Sequence, residues 1–457
     1  MSYISDLSAK RTLVVGAGET GKAIAKYLES LGVKYSLFDE NSSATDEIQI
    51  LRAIPEGRIF DLAIISPGWR KDHFIVENLK SMGIKLISEL DFAWLIKQEL
   101  NPEQKWLAVT GTNGKTTTVQ MLESIFSSAG VSGIACGNIG IPVIEAVTSE
   151  NNFEYLVLEL SSFQIEWSEL PEYCGVAILN IAEDHIDWHG SFSDYASAKM
   201  KLLTKAKLAV LNLSDPEIIL RSAGWEGRKV FFGLQTPQAG EIGLVEELII
   251  DRAFVNSPEA AEVITELSEV LPTVPHNISN AMAAAALALS IGIPHPVVKL
   301  GIVNFKLDKH RLENIYSADG IDWVNDSKAT NPHAASAALL SHLSNIWIAG
   351  GLAKGAKMDA LIARTSGRIK AAIIIGKDGD VIMQALAKIA PEIPIYRVGG
   401  AKSAAELMDL VVSKALSVAT TGDTVLLAPA CASMDQFSSY VERGNLFTDS
   451  VLRLVAK

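Results

Sequence analysis

The sequence has few cysteines and no long apolar segment. Its three cysteines among 457 residues, Cys136, Cys174 and Cys431, are odd in number and far apart. This spacing argues against both a disulfide framework and a zinc cluster. The longest apolar helical candidate, residues 281–293, is too short to span a bilayer. The N-terminus shows no basic region followed by a long apolar core, so we expect no secretory signal and a cytoplasmic protein without stable membrane insertion.

An excess of positive charge is also missing. The chain has 40 Lys and Arg against 53 Asp and Glu, for a formal net charge of −13. Such a surface repels a polyanion, which argues against a general nucleic-acid binder. The 48% hydrophobic and 20% charged residues are typical of a globular protein. Because 457 residues exceed what one hydrophobic core usually serves, we expect two or three domains.

The chain also lacks one glycine of a phosphate-binding pattern. Residues 108–118 read AVTGTNGKTTT, but Val109 stands where G-x-x-x-x-G-K-[ST] has its first glycine. The strand-like WLAVTG precedes this loop and the helical TTTVQMLESIFSSAG follows it, a context in which backbone N–H groups bind an anion. Lys115 then supplies charge to the β- and γ-phosphates and Thr116 a hydroxyl for Mg²⁺. The alternative is a glycine turn with a chance lysine.

The first 98 residues predict a Rossmann-like unit. The strand TLVVGAG runs into a G-x-G-x-x-G motif at residues 16–21, and a second strand ends at Asp39. That spacing is close to the offset of the ribose-binding acid in dinucleotide-binding folds. The motif alone leaves open a dinucleotide, another nucleotide diphosphate or a structural turn. A later strand, AIISPGW at 63–69, stops in a turn where an open parallel sheet presents ligand-facing loops.

The middle of the chain contains strands that end in polar residues. YLVLELSS includes Glu159, and GVAILNIAEDHIDWHG includes the run EDHID at 183–187. Carboxylates and an imidazole at strand ends can hold a metal that neutralises transferring phosphate. Taken alone, His185 reads equally well as a hydrogen-bonded structural histidine. Lys199 lies in the helical-looking SFSDYASAKMKLL, where composition alone favours a solvated lysine.

The last third predicts a second Rossmann-like sheet. After an irregular stretch around 214–270, PHNISNAMAAAALALSIGI reads as a helix. From KLDKHRLENI onward, IDWVNDSKATN, NIWIAGG, AAIIIGKDG, PIYRVGG and TVLLAPACAS alternate with helical segments. We therefore expect an α/β protein in three parts.

Eight ordered motifs carry a resemblance to a known family. VTGTNGKTTT, GNIGIP, LELSSFQIE, NIAEDHIDWHGSFSDYASAK, HNISNA, KHRLE, NDSKATN and LAPACASMDQF together resemble the ATP-dependent Mur ligases of peptidoglycan synthesis, with the last motif resembling the D-glutamate-adding branch. In that family the shortened glycine loop is normal, so the resemblance makes residues 108–118 a true ATP site. It implies an N-terminal Rossmann-like UDP-binding domain (1–98), a central P-loop ATPase-like domain (99–308) and a C-terminal Rossmann-like domain (309–457) for nucleotide and incoming amino acid.

The activity that the resemblance implies is amide-bond formation. ATP phosphorylates the carboxylate of UDP-N-acetylmuramoyl-L-alanine, the amine of D-glutamate attacks the acyl phosphate, and phosphate leaves. A carboxylate needs this activation because it is a poor electrophile until one oxygen becomes a leaving group. The implied cofactors are ATP and two Mg²⁺ ions, and the implied enzyme is a cytoplasmic monomer.

The resemblance also assigns residues. It implies catalytic roles for Lys115, Glu159, His185 and Lys199, and metal contacts for Thr116, Glu159, His185 and Lys199. The implied ATP-binding residues are Gly111, Thr112, Asn113, Gly114, Lys115, Thr116, Thr117, Asn277, Asn280, Arg311 and Asp326. The implied UDP-substrate residues are Gly18, Glu19, Thr20, Asp39, Ser66, Gly68, Asn138, Ser161, Gln164 and His185. The implied D-glutamate residues are Lys328, Thr330, Lys354, Ser433 and Tyr440.

Lys199 matches a lysine that is carbamylated in the family, where the modified side chain becomes an anion that supports the second Mg²⁺. Carbamylation requires a neutral amine, so burial would have to lower an ordinary pKa of about 10.4. Some positions depart from the family pattern. GGLAKGAKMD lacks an acidic residue common after the paired glycines, near Lys354, and Tyr440 stands where phenylalanine is common. Asn41 stands where some relatives have an arginine beside the uracil.

Four rival interpretations are open. A sister Mur ligase would add a different amino acid. Folate-polyglutamating ligases share the central fold, but a Rossmann-like N-terminal domain argues against them. A nicotinamide-dependent dehydrogenase would explain GAGETG and leave GTNGKTTT without a role. A non-catalytic nucleotide-sensing protein would need no set such as Glu159, His185 and Lys199.

Overall fold

The computed structural model describes residues 3–39 and 60–456, so Asn41 lies outside the described residues. By its internal contacts the chain divides into two units, one of Met1–Ile181 with Ser193–Phe305 and the other of Ala182–Phe192 with Lys306–Lys457. Each of the three predicted domains contains one β-sheet. The α/β class is therefore confirmed, while the domain boundaries at 98 and 308 stay a prediction.

Among the described residues, the first sheet has four parallel strands in the order β2-β1-β3-β4. Its strands are β1 (Thr12–Val15), β2 (Tyr35–Phe38), β3 (Leu62–Ile65) and β4 (Lys85–Ser88). Helices in this part of the chain are Tyr3–Leu7, Glu19–Ser30, Phe74–Ser81 and Glu89–Leu100. All residues of β1 and β3 are buried, which agrees with the continuous apolar runs of strands covered on both faces. The predicted Rossmann-like unit is present here.

The second sheet has nine strands among the described residues, in the order β13-β12-β11-β10-β9-β8-β5-β7-β6. The strands that surround the phosphate loop are β5 (Lys105–Thr110), β6 (Gly133–Gly137), β7 (Tyr155–Glu159), β8 (Gly175–Ile178) and β9 (Leu208–Asn212). All of these pair in parallel. The carboxyl ends of β5, β7 and β8 therefore meet at one edge, where the sequence predicts the site.

The expectation of an irregular stretch at 214–270 is wrong. This part forms the helix Pro216–Ser222 and four strands, β10 (Arg228–Phe232), β11 (Glu241–Val245), β12 (Leu248–Asp251) and β13 (Glu262–Glu266). The strands are four or five residues long, and β11, β12 and β13 pair antiparallel. Short strands between turn residues have too few residues to show a clear hydrophobic period.

The helices of the central part are Lys115–Ala129, Val143–Val147, Ser162–Trp167, Phe192–Met200, Pro275–Ser290 and His295–Asn304. The apolar segment at 281–288 has 0% exposure at every residue, because it belongs to the core cluster beneath the second sheet. Its hydrophobicity therefore serves packing inside the protein. Across residues 3–39 and 60–456, no helix combines the length and apolarity that a membrane crossing requires.

The third sheet has six strands in the order β14-β15-β19-β16-β17-β18, with only β14 antiparallel to its neighbour. The strands are β14 (Glu313–Ala318), β15 (Ile321–Asn325), β16 (Asn345–Gly350), β17 (Ile369–Ile375), β18 (Ile395–Arg397) and β19 (Thr424–Leu427). The helices of this unit are Ile186–His189, Pro332–Leu340, Asp359–Thr365, Gly379–Ile389, Ala404–Val418 and Tyr440–Leu454. Alternate residues of these strands belong to two apolar clusters. Val324 and Trp347 lie in one cluster, and Trp323 and Ile346 lie in the other. The sheet is therefore covered on both faces, as predicted.

Candidate active site

The phosphate loop lies between the end of β5 and the helix Lys115–Ala129. Val109, at the position of the missing glycine, is a buried residue of β5 that pairs with Glu159 on one side and Ala177 on the other. The strand thus continues past this position, and the turn begins only at Gly111. A glycine at 109 is unnecessary because no turn occurs there.

Gly114 is required by the loop geometry. It caps the helix with φ +86, in the left-handed region, which side chains with a Cβ avoid. A Cβ at this residue would also lie 2.3 Å from Oδ1 of Asn280. The glycine therefore allows close packing between the loop and the helix Pro275–Ser290, which carries Asn280.

Asn180, just after β8, holds the loop in place. The Thr112 N–H donates to the Asn180 carbonyl at 2.9 Å, and the Asn113 N–H donates to Asn180 Oδ1 at 2.8 Å. In return Asn180 Nδ2 donates to the Asn113 carbonyl at 3.0 Å. Sequence reasoning missed Asn180, although a polar residue directly after a buried strand is the signal that pointed to Glu159.

The start of the helix offers an anion site. Lys115, Thr116 and Thr117 form its first turn, and no side chain caps it at Gly114. The first N–H groups of a helix have no acceptor within the helix, and the helix dipole places partial positive charge there. With Lys115 beside them, these groups fit a polyphosphate.

Two lysines converge on one carbonyl of the loop. Lys115 Nζ donates to the Gly111 carbonyl at 2.9 Å and to the Thr112 carbonyl at 3.1 Å. Lys199 Nζ donates to the same Gly111 carbonyl at 2.9 Å. Lys199 is only 2% exposed, and its Nζ lies 4.7 Å from the centroid of the Tyr195 ring. The expectation of a solvated Lys199 is therefore wrong, because the helix Phe192–Met200 carries this side chain into the protein against the phosphate loop.

Glu159 has one carboxylate oxygen satisfied and one orphaned. It ends β7 and is 2% exposed. Its Oε1 accepts from Asn138 Nδ2 at 2.9 Å, whereas Oε2 is buried and has no hydrogen-bond partner among the described residues. A buried carboxylate oxygen without a donor is energetically costly. This atom is therefore the strongest indication within the sheet edge of a ligand such as a cation.

The EDHID run belongs to the other unit by its contacts. In it, His185 has a left-handed φ of +53, and its N–H donates to Asp184 Oδ1 at 3.0 Å. Within residues 3–39 and 60–456, no three or more His, Cys, Asp or Glu side chains form a group that could hold a metal ion. This finding does not test the predicted metal contacts, of which only Glu159 and His185 are residues of these four types, so those contacts stay a prediction. Mg²⁺ commonly takes only one or two carboxylates, with water and phosphate oxygens completing its shell.

The N-terminal glycine loop packs closely around Ser66. A Cβ at Gly16, whose φ is +107, would lie 2.6 Å from Ser66 Oγ, and one at Gly21 would lie 1.8 Å from the Gly16 carbonyl. Asp39 accepts from the Ala17 N–H at 2.9 Å. Ser66 Oγ itself is buried and has no partner within the described part of the chain. The structure thus brings Ser66 and Asp39 to the loop, as the sequence predicts.

The remaining predicted residues on this side lie on adjoining turns. Gly18 caps the helix Glu19–Ser30 without a side-chain hydrogen bond, so Glu19 and Thr20 form its first turn. Gly68 is exposed in the turn that follows β3. Nothing lies within 4 Å of a Cβ built at Gly18 or Gly68, so neither glycine is required by contacts inside the protein.

Glu89 is a site residue that sequence reasoning missed. It directly follows β4, where Ser88 Oγ caps the helix Glu89–Leu100, and it is 5% exposed. Its carboxylate accepts from Gln164 Nε2 at 2.7 Å and from the hydroxyl of Thr20. Burial raises the pKa of Glu89 to about 7, although both hydrogen bonds lower it. Gln164 also forms a capping box with Ser161. Two residues predicted to bind the UDP substrate, Gln164 and Thr20, therefore converge on Glu89, and a third, Ser161, holds Gln164.

The predicted ATP-binding residues Asn277 and Asn280 lie on the helix Pro275–Ser290. Asn280 faces Gly114 of the phosphate loop. Asn277 is 2% exposed, and its Nδ2 donates to the Pro272 carbonyl at 3.1 Å. Asn277 Oδ1, like Glu159 Oε2 and Ser66 Oγ, is a buried atom for which the described residues supply no partner. The amide is therefore available to accept a hydrogen bond from a ligand.

In the second unit, Asp326 follows β15 and accepts from the Leu312 N–H at 3.2 Å. Burial raises the pKa of Asp326 to about 7, while the Leu312 N–H and the charge of Arg311 lower it. Lys328 Nζ lies 4.0 Å from the centroid of the Tyr440 ring, and the Thr330 N–H donates to the Lys328 carbonyl at 2.8 Å. The structure thus brings Lys328 and Tyr440 together.

Ser433 and Lys354 lie on two neighbouring segments. Leu352 and Ala432 exchange backbone hydrogen bonds of 2.8 and 3.0 Å, which places the chain before Lys354 beside the chain before Ser433. Ser433 is 3% exposed. Lys354 is exposed and has a left-handed φ of +49. Its side chain therefore extends from a turn and is not fixed by burial.

The chain is similar to two protein-family models and to proteins of known name. The family model described as Mur ligase middle domain matches residues 109–288, and the one described as Mur ligase, glutamate ligase domain matches residues 310–431. A UDP-N-acetylmuramoylalanine--D-glutamate ligase of Thermobifida fusca is 40% identical, covering 98% of this chain and 99% of that protein. The ligase of the same name from Streptomyces avermitilis is 39% identical over 99% of this chain and 100% of its own.

Solved structures show a similar fold. UDP-N-acetylmuramate-alanine ligase MurC from Thermotoga maritima has a TM-score of 0.57 at 18% identity, over 97% of this chain and 99% of that chain. MurF from Acinetobacter baumannii has a TM-score of 0.56 at 17% identity, over 86% and 85% of the two chains. At such low identity this likeness supports the architecture alone.

Proposed function

Because the chain belongs to the Mur ligase family, we propose that it joins D-glutamate to UDP-N-acetylmuramoyl-L-alanine at the expense of ATP, in the synthesis of peptidoglycan precursors. Relatives that carry this activity in their names match the chain over nearly its whole length. The structural observation that carries the ATP-dependent part is the phosphate loop, where Lys115 and Lys199 both donate to the Gly111 carbonyl.

The loop binds the β- and γ-phosphates through the first N–H groups of the helix and the Lys115 ammonium. The carboxylate of the UDP substrate attacks the γ-phosphorus, a new O–P bond forms, and ADP leaves. The amine of D-glutamate then attacks the carbonyl carbon, a C–N bond forms, and phosphate leaves. Positioning and electrostatic stabilisation of the phosphoryl group are the main contributions that the protein makes to such a transfer.

Mg²⁺ fits the sheet edge beside the loop. The orphaned Oε2 of Glu159 and the hydroxyl of Thr116 are oxygen donors of the kind this ion prefers. We propose Lys199 and, as the family resemblance implies, His185 as further metal contacts. When bound, the ion neutralises charge on the transferring phosphoryl group. Glu159 is held for this role by its other oxygen, which accepts from Asn138.

Lys199 would act as a carbamate. Its burial and the donation of its Nζ to the Gly111 carbonyl support this role, since they hold the end of the side chain beside the phosphate loop. The carbamate would place a negative charge at the end of a side chain that already reaches the phosphate loop. An unmodified ammonium there would repel a cation.

The substrates divide among the three sheets. We assign the UDP moiety to the first sheet, where the loop around Ser66 and Asp39 can cradle a diphosphate. We assign the incoming amino acid to the third sheet, where Lys328, Thr330 and Ser433 offer cations and hydroxyls for a dicarboxylate. Arg311 and Asp326 would contact the nucleotide. The proposed domains are residues 1–98, 99–308 and 309–457, and the proposed enzyme is a cytoplasmic monomer.

Trapping of the intermediate tests this proposal. The chain would be incubated with ATP, Mg²⁺ and UDP-N-acetylmuramoyl-L-alanine in the presence of hydroxylamine and without any amino acid. An acyl phosphate reacts with hydroxylamine, so the proposal requires a hydroxamate of the UDP substrate and one ADP for each molecule formed. A Lys115→Ala control should give none. ADP release without the hydroxamate would contradict the acyl-phosphate step.

A further inference from the structure

Among the described residues, Arg443 is a buried cation that is hydrogen-bonded to no carboxylate, although the charge of Asp435 raises its pKa. It lies in the first turn of the helix Tyr440–Leu454 and is 0% exposed. Its guanidinium donates to Ser327 Oγ at 3.0 Å, to the Ser327 carbonyl at 2.8 Å and to the Cys431 carbonyl at 3.2 Å. No carboxylate of the described chain accepts from it. Burial lowers the pKa of Arg443 to about 10, so the guanidinium stays charged at neutral pH.

The acceptors of Arg443 lie on the segments that carry the proposed amino-acid site. Ser327 directly precedes Lys328, and Cys431 lies two residues before Ser433. Ser327 Oγ in turn donates to the carbonyl of Tyr440, at the start of the helix that carries Arg443. The guanidinium therefore joins segments 327–330, 431–433 and 440–443.

A second set of contacts anchors the same helix turn. Asn325 Nδ2 donates to the Gly444 carbonyl at 2.9 Å and to Thr448 Oγ1 at 3.1 Å, and Asn325 Oδ1 accepts from the Ser327 N–H at 3.2 Å. A Cβ at Gly444 would lie 2.4 Å from Nδ1 of His310. These contacts fix the helix against segment 325–327, and Arg443 extends the network to Cys431.

Packing alone does not explain why the buried side chain at position 443 is a charged arginine. Burying a cation that no carboxylate hydrogen-bonds is unfavourable, and apolar side chains of similar volume often stabilise a core as well or better. The planar guanidinium, however, can hold two segments in one geometry through several fixed donors, which a lysine cannot reproduce. Its charge also favours an anion bound to the segments it holds.

We propose that Arg443 is a positioning residue for the incoming amino acid. It sets the spacing of Lys328 and Ser433, and its charge favours a ligand with two carboxylates. The identification of that ligand as D-glutamate rests on the proposed function.

Steady-state kinetics of three variants test this role. Arg443→Lys keeps the charge and loses the fork, and Ser327→Ala removes one acceptor with little change in volume. Arg453→Lys, on the exposed side of the same helix where it pairs with Asp409, is the matched control. We expect Arg443→Lys to raise the KM for D-glutamate about tenfold or more and Ser327→Ala to raise it about threefold, with the KM values for ATP and the UDP substrate within about twofold. The control should leave all three KM values unchanged.

A merely structural role would shift all three KM values together, or would lower thermal stability while leaving the KM for D-glutamate unchanged, and either result would overturn the proposal. If Arg443→Lys does not fold, Ser327→Ala decides: an unchanged KM for D-glutamate would then refute the role. Failure of the proposed function is visible separately in the wild type, which would use another amino acid or none. If it uses another, the same comparison of KM values is made with that amino acid.

Discussion

Replacing Glu89 by Gln should make the protein more stable at high pH. The folded-state pKa of about 7 exceeds the ordinary value of 4.5, so the folded protein holds this proton more tightly than the unfolded chain. Below about pH 4.5 the carboxyl is protonated in both the folded and the unfolded protein, so its titration does not lower the free energy of unfolding. As pH rises from about 4.5 to about 7, the wild type loses stability, because only the unfolded state ionises freely. At about 1.4 kcal/mol per pH unit, the full loss is roughly 3 kcal/mol.

The variant removes this loss because an amide does not titrate. Its carbonyl oxygen can still accept from Gln164 Nε2, which donates to Glu89 in the wild type. The free energy of unfolding of the variant minus that of the wild type should therefore rise between pH 4.5 and 7 and level off above. Urea unfolding of both proteins in the same buffers, followed by tryptophan fluorescence, measures this difference and cancels the other titrating groups.

Glu89→Ala is the matched control. It also removes the charge, but it leaves Gln164 Nε2 without its acceptor, which costs about 1–3 kcal/mol relative to Glu89→Gln at every pH. A difference between Glu89→Gln and the wild type that stays constant from pH 4.5 to 8.5 would refute the conclusion that Glu89 is a buried, ionisable group of this site.

Three further predictions concern the phosphate loop. Lys115→Ala should abolish phosphate release while changing the free energy of unfolding by about 1 kcal/mol or less, since the contacts it loses include hydrogen bonds to two carbonyls of a loop. Retained turnover would contradict this prediction. Gly114→Ala should abolish ATP binding, measured by calorimetry, and should lower the free energy of unfolding by about 1–2 kcal/mol. Alanine is strained at φ +86, and its Cβ would clash with Asn280. An unchanged ATP affinity would contradict the conclusion that the loop requires glycine at this turn. Lys199→Ala should remove most activity, short carboxylates should restore part of it, and intact mass with bicarbonate should show a carbamate on the wild type alone. A fully active wild type whose Lys199 is unmodified in high-resolution density would refute the carbamate.

The parts of the fold that the sequence predicts well are local. A buried strand followed by a glycine loop and a helix places Lys115 and Thr116 without knowledge of the rest of the chain, and a polar residue at a strand end identifies Glu159. Glu89 follows the same rule after β4, but its importance depends on Gln164, which is 75 residues further on. Such a contact is set by packing between two sheets and has no local signal.

Lys199 is a second residue whose environment depends on packing and cannot be predicted from the local sequence. Its helical segment is correctly predicted, but composition favours a solvated lysine, whereas packing buries it at 2% exposure. Only the arrangement of the helix beside the end of β5 brings its Nζ to Gly111. The role of Arg443 is equally invisible in sequence, because its acceptor Ser327 is 116 residues away.

The most direct test of the central claim is the dependence of product formation on the amino acid. The chain would be incubated with ATP, Mg²⁺ and UDP-N-acetylmuramoyl-L-alanine, together with D-glutamate, L-glutamate, D-alanine or L-lysine in separate reactions. Phosphate release and the mass of the UDP product are then measured. We expect one phosphate for each molecule of product, and we expect product only in the reaction that contains D-glutamate. Product with a different amino acid, or no product with D-glutamate, would contradict it.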